Sequence, residues 1–348
     1  MGSPEDNNEQ VSTHLKKAAF KLVKEVMLIA SGQTVIMTVD NRTDSGMVGA
    51  IAEAVEEQGA MPVVITYPSR INEGIDLPLA VGAAICSSDV WLEFAEGYAL
   101  YTPTRLKARE KGVRYSTLTG MDTDLLIRAI GEVDYRSLLK LGEILKTIIH
   151  HAHKFTITSK AGTKFSGKGR ATYVALSGTP NPAKGSTTML IGTVGWICDE
   201  NQLNGKLVVD GALWPPKEIG AVHDSIYLTV KNGRVIEIEG GKEALLFKEW
   251  LKDLNDENMY RLAHLTIGYH PNVKKPSQKI LENERLYGCF EFGLGSQGRA
   301  FGAKWTAKSH ADAVITRPTI IFDEHMIIDD GSFVHTNLND NDFRKIVL

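Results

Sequence analysis

Two histidines and an aspartate in the C-terminal half of the sequence have the side chains and spacing to bind a metal ion. His310 and Asp312 are two residues apart in the run Lys308-Ser-His-Ala-Asp-Ala-Val314. If this run is extended, both side chains project from the same face of a strand. His264 offers a third ligand from another apolar, strand-like run. Two histidines and one carboxylate form the ligand set of non-haem Fe(II) oxygenases. Because His-x-Asp pairs also arise by chance, surface or core positions remain the alternative.

The N-terminal half predicts a parallel sheet, because short β-branched runs alternate with helical stretches as in βαβ units. The predicted strands are Thr34–Val39, Val63–Thr66, Asp89–Phe94 and Val113–Leu118, with helices such as Met47–Gln58 and Pro103–Lys111 between them. Glu93 and Glu96 lie at the end of one predicted strand, where open α/β sheets present functional groups. Exposed carboxylates at a strand end are the alternative interpretation.

A long amphipathic helix over Val133–His153 closes this half. Its last turn contains His150, His151 and His153, and histidines are favoured there by the helix dipole. We therefore do not interpret this cluster as a metal site.

After residue 155 the pattern changes to short strands separated by glycine, which predicts an α+β, mainly antiparallel domain. The predicted strands are Phe155–Thr158, Thr172–Leu176, Lys206–Val209, Ile226–Val230 and Arg234–Glu239. Lys231-Asn-Gly-Arg234 has the signature of a type I′ hairpin turn. The dense glycines between Gly288 and Gly302 favour a loop. We predict two domains, an N-terminal α/β domain over 1–154 and a catalytic, metal-binding domain over 155–348.

Composition limits the possible functions. The chain has 348 residues, 23% of them charged, and a formal net charge of −3, which does not favour nucleic acid or an anionic membrane as a partner. Three scattered cysteines, Cys86, Cys198 and Cys289, are typical of a reducing compartment. The polar first residues lack an apolar signal region, and no run of 18 apolar residues occurs. We expect a cytoplasmic protein.

Several motifs follow the order found in the aminopeptidase T/S type of metallopeptidases. They are Asn283-Glu-Arg-Leu-Tyr-Gly288, Gly293-Leu-Gly295, Ser309-His-Ala-Asp312 and Asp329-Asp-Gly331. Within that superfamily the chain most resembles the 2,5-dihydroxypyridine 5,6-dioxygenases, which are Fe(II) enzymes. Ser159-Lys-Ala-Gly162, Ala263-His-Leu and Tyr287-Gly-x-Phe290 carry this resemblance. His264 stands where the peptidases have a glutamate, so the resemblance marks His264, His310 and Asp312 as iron ligands.

The peptidases of this superfamily instead use five ligands for two metal ions. At the equivalent positions this chain has Asp224, His264, Glu291, His310 and Asp312. Such a pair of Zn, Mn or Co ions would activate water for amide hydrolysis. Glu291 lies between Phe290 and Phe292, so a solvent-facing strand carboxylate is an alternative for it. A structural role is likewise an alternative for Asp224.

Other residues are candidates for contacts with the substrate. The dioxygenases have a histidine before a Ser-Pro pair, and Tyr101 occupies the corresponding place in Ala99-Leu-Tyr-Thr-Pro103. A tyrosine can hydrogen-bond a substrate hydroxyl but is a poor base near neutral pH. Arg285 or Arg299 could pair with an anionic group, and His223 or His270 could act as an acid or base.

We therefore expect a metal-dependent enzyme. The favoured function is a ring-cleaving Fe(II) dioxygenase acting on a small hydroxylated N-heteroaromatic compound, and the alternative is a metallo-aminopeptidase or amidohydrolase. The resemblance also implies a homo-oligomer.

Overall fold

The computed structural model describes residues 4–69, 76–97, 99–100, 102–297 and 304–348, with the side chains from residue 10 onward. Its contacts divide the chain into two compact units. The first unit comprises 1–133, 178–191 and 348, and the second comprises 134–177 and 192–347. By these contacts the first long segment ends at residue 133, and the segment that contains the predicted closing helix belongs to the second unit. The domain boundary at 154 stays a prediction.

The first unit is built on a parallel four-stranded sheet. Its helices are α1 (Pro4–Lys21), α2 (Ser45–Glu57), α3 (Leu79–Ile85), α4 (Pro103–Glu110) and α5 (Thr123–Leu126), with π-helical turns at Leu22–Val26 and Ile127–Gly131. Its strands are β1 (Thr34–Asp40), β2 (Met61–Tyr67), β3 (Val90–Glu93) and β4 (Arg114–Thr117), in the order β2-β1-β3-β4. The predicted parallel sheet is confirmed.

The strands of the first unit pack around a buried apolar cluster that includes Trp91, Tyr115 and Ile85. Caps define the ends of its helices. Asp44 accepts from the backbone N–H groups of Gly46 and Met47 at the start of α2, which satisfies donors that have no partner within the helix.

The second unit contains helices α6 (Tyr135–His151), α7 (Lys242–Leu254), α8 (Ile280–Asn283) and α9 (Asp340–Arg344), with 3₁₀ turns at Glu200–Gln202 and Glu257–Tyr260. Its strands are β5 (Lys154–Thr158), β6 (Lys164–Lys168), β7 (Tyr173–Leu176), β8 (Thr193–Ile197), β9 (Asn204–Val209), β10 (Ala212–Trp214), β11 (Gly220–Ala221), β12 (Ile226–Lys231), β13 (Arg234–Gly240), β14 (Leu262–Gly268), β15 (Phe290–Gly295), β16 (His310–Ile315), β17 (Thr319–Phe322), β18 (His325–Asp329), β19 (Ser332–His335) and β20 (Leu338–Asn339).

These strands form two antiparallel sheets. One has seven strands in the order β11-β10-β16-β15-β14-β8-β7, and the other has nine in the order β13-β12-β9-β6-β5-β17-β18-β19-β20. Aromatic side chains fill the space between the sheets, with Phe155, Phe165 and Phe322 of the larger sheet packing on Trp196 and Phe290 of the smaller.

Two predictions about local structure have different outcomes. The predicted hairpin turn is confirmed, because Asn232 and Gly233 both have positive φ between β12 and β13. The glycine-rich stretch predicted as a loop instead contains the buried central strand β15. Glycine in a strand leaves space for neighbouring side chains. The imidazoles of His264 and His310 occupy the space beside Gly293.

Among the described residues, none of the helices has the length and apolar character needed to span a bilayer.

Candidate metal centre

Three neighbouring strands of the seven-stranded sheet position the candidate ligands. His264 is on β14, and His310 and Asp312 are on β16, with β15 between them. Gly293 of β15 pairs with both His264 and Asp312. Successive side chains alternate between the faces of a sheet. The three candidate ligands therefore lie on the face opposite the aromatic core.

The three side chains form a compact group of donor atoms. His310 Nε2 lies 2.9 Å from Asp312 Oδ1, and His264 Nε2 lies 3.6 Å from the same oxygen. The two imidazole rings are stacked, with centroids 5.1 Å apart. One ligand atom from each residue lies within 4.8 Å of the others. The structure thus brings together the three residues that the sequence favoured, in an arrangement able to hold one ion.

Gly293 makes room for both imidazoles. A Cβ atom at this position would lie 2.4 Å from His264 Cε1 and 2.6 Å from His310 Cε1, closer than non-bonded carbon atoms approach. The two rings therefore occupy the space that any other residue would fill.

Glu291 lies beside this group. Its carboxylate oxygens are 3.2 and 3.3 Å from His264 Nε2, and its side chain is only 1% exposed. The structure therefore does not show the solvent-facing carboxylate considered as an alternative. Burial raises the pKa of Glu291 to about 8, and the negative charge of Glu284 adds to the effect.

Glu284, at the end of α8, is a further carboxylate that sequence reasoning missed. Burial raises its pKa; the Arg285 guanidinium opposes this rise, and the Asp312 carboxylate adds to it. Arg285 is fully buried and donates from Nη1 to Glu284 at 2.7 Å and to the Leu281 carbonyl at 2.6 Å. The only sequence signal for Glu284 was its place in the Asn283-Glu-Arg motif, which does not reveal what its side chain faces.

A backbone carbonyl fixes the orientation of one imidazole. His310 Nδ1 is 2.6 Å from the Ser296 carbonyl oxygen. Since a carbonyl can only accept, Nδ1 carries the hydrogen and Nε2 faces the candidate centre. Burial lowers the pKa of His310, but the Asp312 carboxylate and this hydrogen bond outweigh burial and raise it to about 9. Burial and the neighbouring His310 lower the pKa of His264 to about 4.

The other predicted site residues lie elsewhere or outside the described part of the chain. His223 and Asp224 are exposed, and their backbone N–H groups donate to the Glu243 carboxylate on α7. His270 is buried, and its Nδ1 accepts from the backbone N–H of Asn272. Tyr101 and Arg299 lie outside the described residues.

The donor atoms of this group are suited to binding a divalent metal ion. Two imidazole nitrogens and one carboxylate suit Fe(II), and also Zn, Mn or Co. Three protein ligands would leave further coordination positions of such an ion to water or substrate. The buried Glu291 and the partly buried Glu284 add groups able to exchange protons.

Comparison with known proteins gave concordant matches. The family model described as NicX, 2,5-dihydroxypyridine 5,6-dioxygenase, matches residues 16–335. A 2,5-dihydroxypyridine 5,6-dioxygenase from Pseudomonas putida is 21% identical over 338 residues, covering 90% of this chain and 95% of that protein.

Two solved structures share the fold. The 2,5-dihydroxypyridine dioxygenase of Pseudomonas putida superposes with a TM-score of 0.75 at 19% identity, over 94% of this chain and 97% of that one. AmpT from Thermus thermophilus superposes with a TM-score of 0.64 at 13% identity, over 92% and 99% of the two chains. The expected aminopeptidase-like α/β architecture is confirmed.

Proposed function

The chain belongs to the 2,5-dihydroxypyridine 5,6-dioxygenase family, and from this premise we propose that it is a non-haem Fe(II)-dependent, extradiol-type dioxygenase. Its substrate would be a hydroxylated N-heteroaromatic compound similar to dihydroxypyridine, whose ring it opens with both atoms of O2 entering the product. One observation carries the proposal: His264, His310 and Asp312 converge on a single point in a chain of this family.

The residues present fit an Fe(II) ion. His264 and His310 would bind it through Nε2 and Asp312 through a carboxylate oxygen, which is the facial set of Fe(II) oxygenases. The missing Cβ of Gly293 leaves space for the two rings, and the Ser296 carbonyl fixes the tautomer of His310. When bound, Fe(II) supplies the redox chemistry that allows O2 to react with an electron-rich ring.

We assign Glu291 the role of exchanging a proton with the bound substrate. Its carboxylate is 3.2 Å from the ligand nitrogen of His264 and buried from solvent. A hydroxylated ring that binds as an anion must lose a proton, and the ionised form of a carboxyl whose pKa is raised to about 8 is a strong enough base to accept it.

The remaining predicted residues receive more limited roles. Tyr101 is proposed to hydrogen-bond a substrate hydroxyl. Arg285 is proposed to hold Glu284 in place, because it is fully buried against that carboxylate. His223 stays a predicted acid or base, although it lies on an exposed segment beside Glu243.

The metallohydrolase remains the second candidate, because Glu291 lies within reach of the same ligand group and could complete a site for two ions. A two-ion site of the peptidase type would also need the Asp224 carboxylate. The structure places Asp224 elsewhere, where its backbone N–H donates to the Glu243 carboxylate on α7.

Metal analysis with an oxygen assay separates the two functions. We expect protein purified without oxygen to contain about one iron ion per chain and to consume O2 with 2,5-dihydroxypyridine. Glu291→Gln should keep its iron content and lose turnover. About two zinc or manganese ions per chain, with amide hydrolysis in the absence of O2, would overturn the proposal.

We also propose that the protein works in the cytoplasm as a homo-oligomer with a small-molecule substrate. All three cysteines are unpaired, which suits a reducing compartment. Light scattering of the purified protein tests the oligomer, and a monomeric mass would contradict it.

A further inference from the structure

Gln297 is a buried amide at the end of the segment that follows β15. The residue is only 5% exposed. Nε2 donates to the Ala263 carbonyl at 3.0 Å, and Oε1 accepts from the Lys304 backbone N–H at 3.2 Å. Because the amide meets an acceptor at one end and a donor at the other, only one orientation satisfies both.

The carbonyl that Gln297 binds belongs to a β-bulge next to His264. Leu262 pairs with Leu294 and His264 with Gly293, so Ala263 is an extra residue in β14. The extra residue of a bulge lies outside the regular ladder and turns the strand locally. A buried carbonyl there needs another donor, and Gln297 supplies it.

The bulge determines where His264 projects. A shift of one residue in register moves a side chain to the opposite face of a sheet. His264 is the first residue after the bulge that pairs with β15. Any change in the bulge therefore changes the position of the His264 imidazole.

We propose that Gln297 is a positioning residue for the metal centre, acting on His264 through the Ala263 carbonyl. The inference rests on the proposed function in one respect, since it takes His264 to be a metal ligand. Its mechanism is the hydrogen bond from the Gln297 amide, which holds the bulge in the one conformation that directs His264 toward Asp312.

The adjacent residues support this role. Ser296 holds His310 through its carbonyl, so two consecutive residues fix the two imidazoles. The Trp305 indole N–H donates to the Gly295 carbonyl at 2.8 Å, and the Arg261 guanidinium stacks on the Trp305 ring at 3.6 Å. These contacts hold the backbone at Gly295 and the Trp305 side chain, which lie on either side of Gln297 and of Lys304 in the sequence.

The space around Gln297 guides the choice of variants. A cavity of about 10 Å³ is lined by Gln297, His264 and Trp196 among others, no larger than a single water molecule needs. A small replacement would admit water, which could bond the Ala263 carbonyl in place of the amide. Gln297→Leu fills the space without a donor. Gln297→Glu keeps the acceptor for Lys304 and loses the donor for Ala263 once its carboxyl is ionised, so this variant is measured over a range of pH.

Two measurements test the proposal on the full-length protein. The first uses the metal-free protein: the ¹⁵N resonances of the His264 ring should shift in both variants. The second measurement is a Co(II) titration followed by visible absorption. Both variants should bind Co(II) 10- to 100-fold more weakly than the wild type, because loss of a group that supports a metal ligand usually weakens binding by this factor. Gln202→Leu, at an exposed glutamine, should match the wild type in both.

The outcomes separate this inference from the proposed function. Unchanged His264 resonances and wild-type Co(II) affinity in Gln297→Leu would overturn the positioning role, even if the variant were less stable. If Gln297→Leu binds Co(II) more weakly but Gln297→Glu binds it as the wild type does, the hydrogen bond to the Ala263 carbonyl is not the cause, and this part of the proposal is overturned. If the wild type binds no Co(II), the proposed metal centre fails, and the His264 resonances still decide the role of Gln297. If Co(II) binds as expected but no ring is opened, only the proposed dioxygenase function fails.

Discussion

The proposed metal centre depends on a few side chains and on one position that lacks a side chain. His264, His310 and Asp312 would provide the donor atoms, while Gly293 provides the space between the two imidazoles. The Ser296 carbonyl accepts from His310 Nδ1 and holds that imidazole in place. Substitutions at these positions should therefore change metal binding more than they change the fold.

Gly293→Ala should weaken metal binding and destabilise the protein. The added methyl group would lie within 2.6 Å of both imidazoles, and forcing such overpacking typically costs about 1–3 kcal/mol. Urea unfolding and Co(II) titration measure the two effects. Gly49→Ala is the control, because nothing lies within 4 Å of its added methyl group in α2, and it should be neutral or slightly stabilising. Equal behaviour of the two variants would contradict the role of Gly293.

His310→Ala should abolish metal binding and leave a soluble, folded protein. The substitution removes one of three ligands, and the backbone pairing of β16 with β15 stays available. Elemental analysis and circular dichroism check the two parts of the prediction. His325→Ala, at an exposed histidine on β18, should keep its metal. A variant that lost His310 but kept the wild-type metal content would refute the assignment.

At the scale of strands and helices, a β-bulge and a glycine within the strands determine where the candidate ligand side chains project. The bulge in β14 directs His264, and Gly293 of β15 leaves space for the imidazoles of the neighbouring strands.

In the first unit, β3 and β4 end in a buried polar network. The Tyr115 hydroxyl donates to one oxygen of Glu93, and the Ala99 backbone N–H donates to the other.

The pH dependence of stability should report on this network. Burial raises the pKa of Glu93 to about 7 although its hydrogen bonds, with Tyr115 first, oppose the rise. The folded state then binds the proton more tightly than the unfolded state, so stability falls as the pH rises from about 4.5 to about 7, by about 3 kcal/mol from this group. Glu93→Gln should remove this part of the slope in urea unfolding.

Glu96→Gln is the matched control for this prediction. Glu96 forms a surface ion pair with Arg42, and their side chains are 38% and 56% exposed, so its loss should change stability little at any pH. The same slope in the wild type and in Glu93→Gln would show that Glu93 does not titrate as expected.

At the scale of the whole molecule, the two units differ in the type of sheet they contain and in whether they carry candidate ligands. The first has a parallel sheet, and the second has two antiparallel sheets with an aromatic core between them. All the candidate ligands that the structure brings together belong to the second unit. A bound ion would therefore link strands within one unit.

Metal binding should stabilise the protein most strongly around these strands. At a free Co(II) concentration 100 times the Kd, linkage adds about 2.7 kcal/mol to the free energy of unfolding. Hydrogen exchange should slow most in β14, β15 and β16. His310→Ala should show neither effect. Protection that rises equally in all strands, or mainly in the parallel sheet, would contradict the proposed location.

Local patterns in the sequence were sufficient for much of the fold and, together with the family resemblance, for naming the three candidate ligands. Alternating β-branched runs predicted the parallel strands, and the Asn-Gly pair predicted the turn between β12 and β13. These features depend on side-chain periodicity and on backbone preferences of neighbouring residues. The spacing of His310 and Asp312 also follows from one strand alone, since residues two apart share a face.

The tertiary structure alone decided what depends on contacts between distant segments. Strand pairing placed Gly293 between His264 and Asp312, turned a glycine-rich stretch into the central strand β15, and buried Glu291 beside His264. It also brought Glu284 close to Asp312 and Gln297 to the residue before His264, and left His223 and Asp224 exposed beside Glu243. Register and burial arise from packing between strands far apart in the chain, and no local pattern records them.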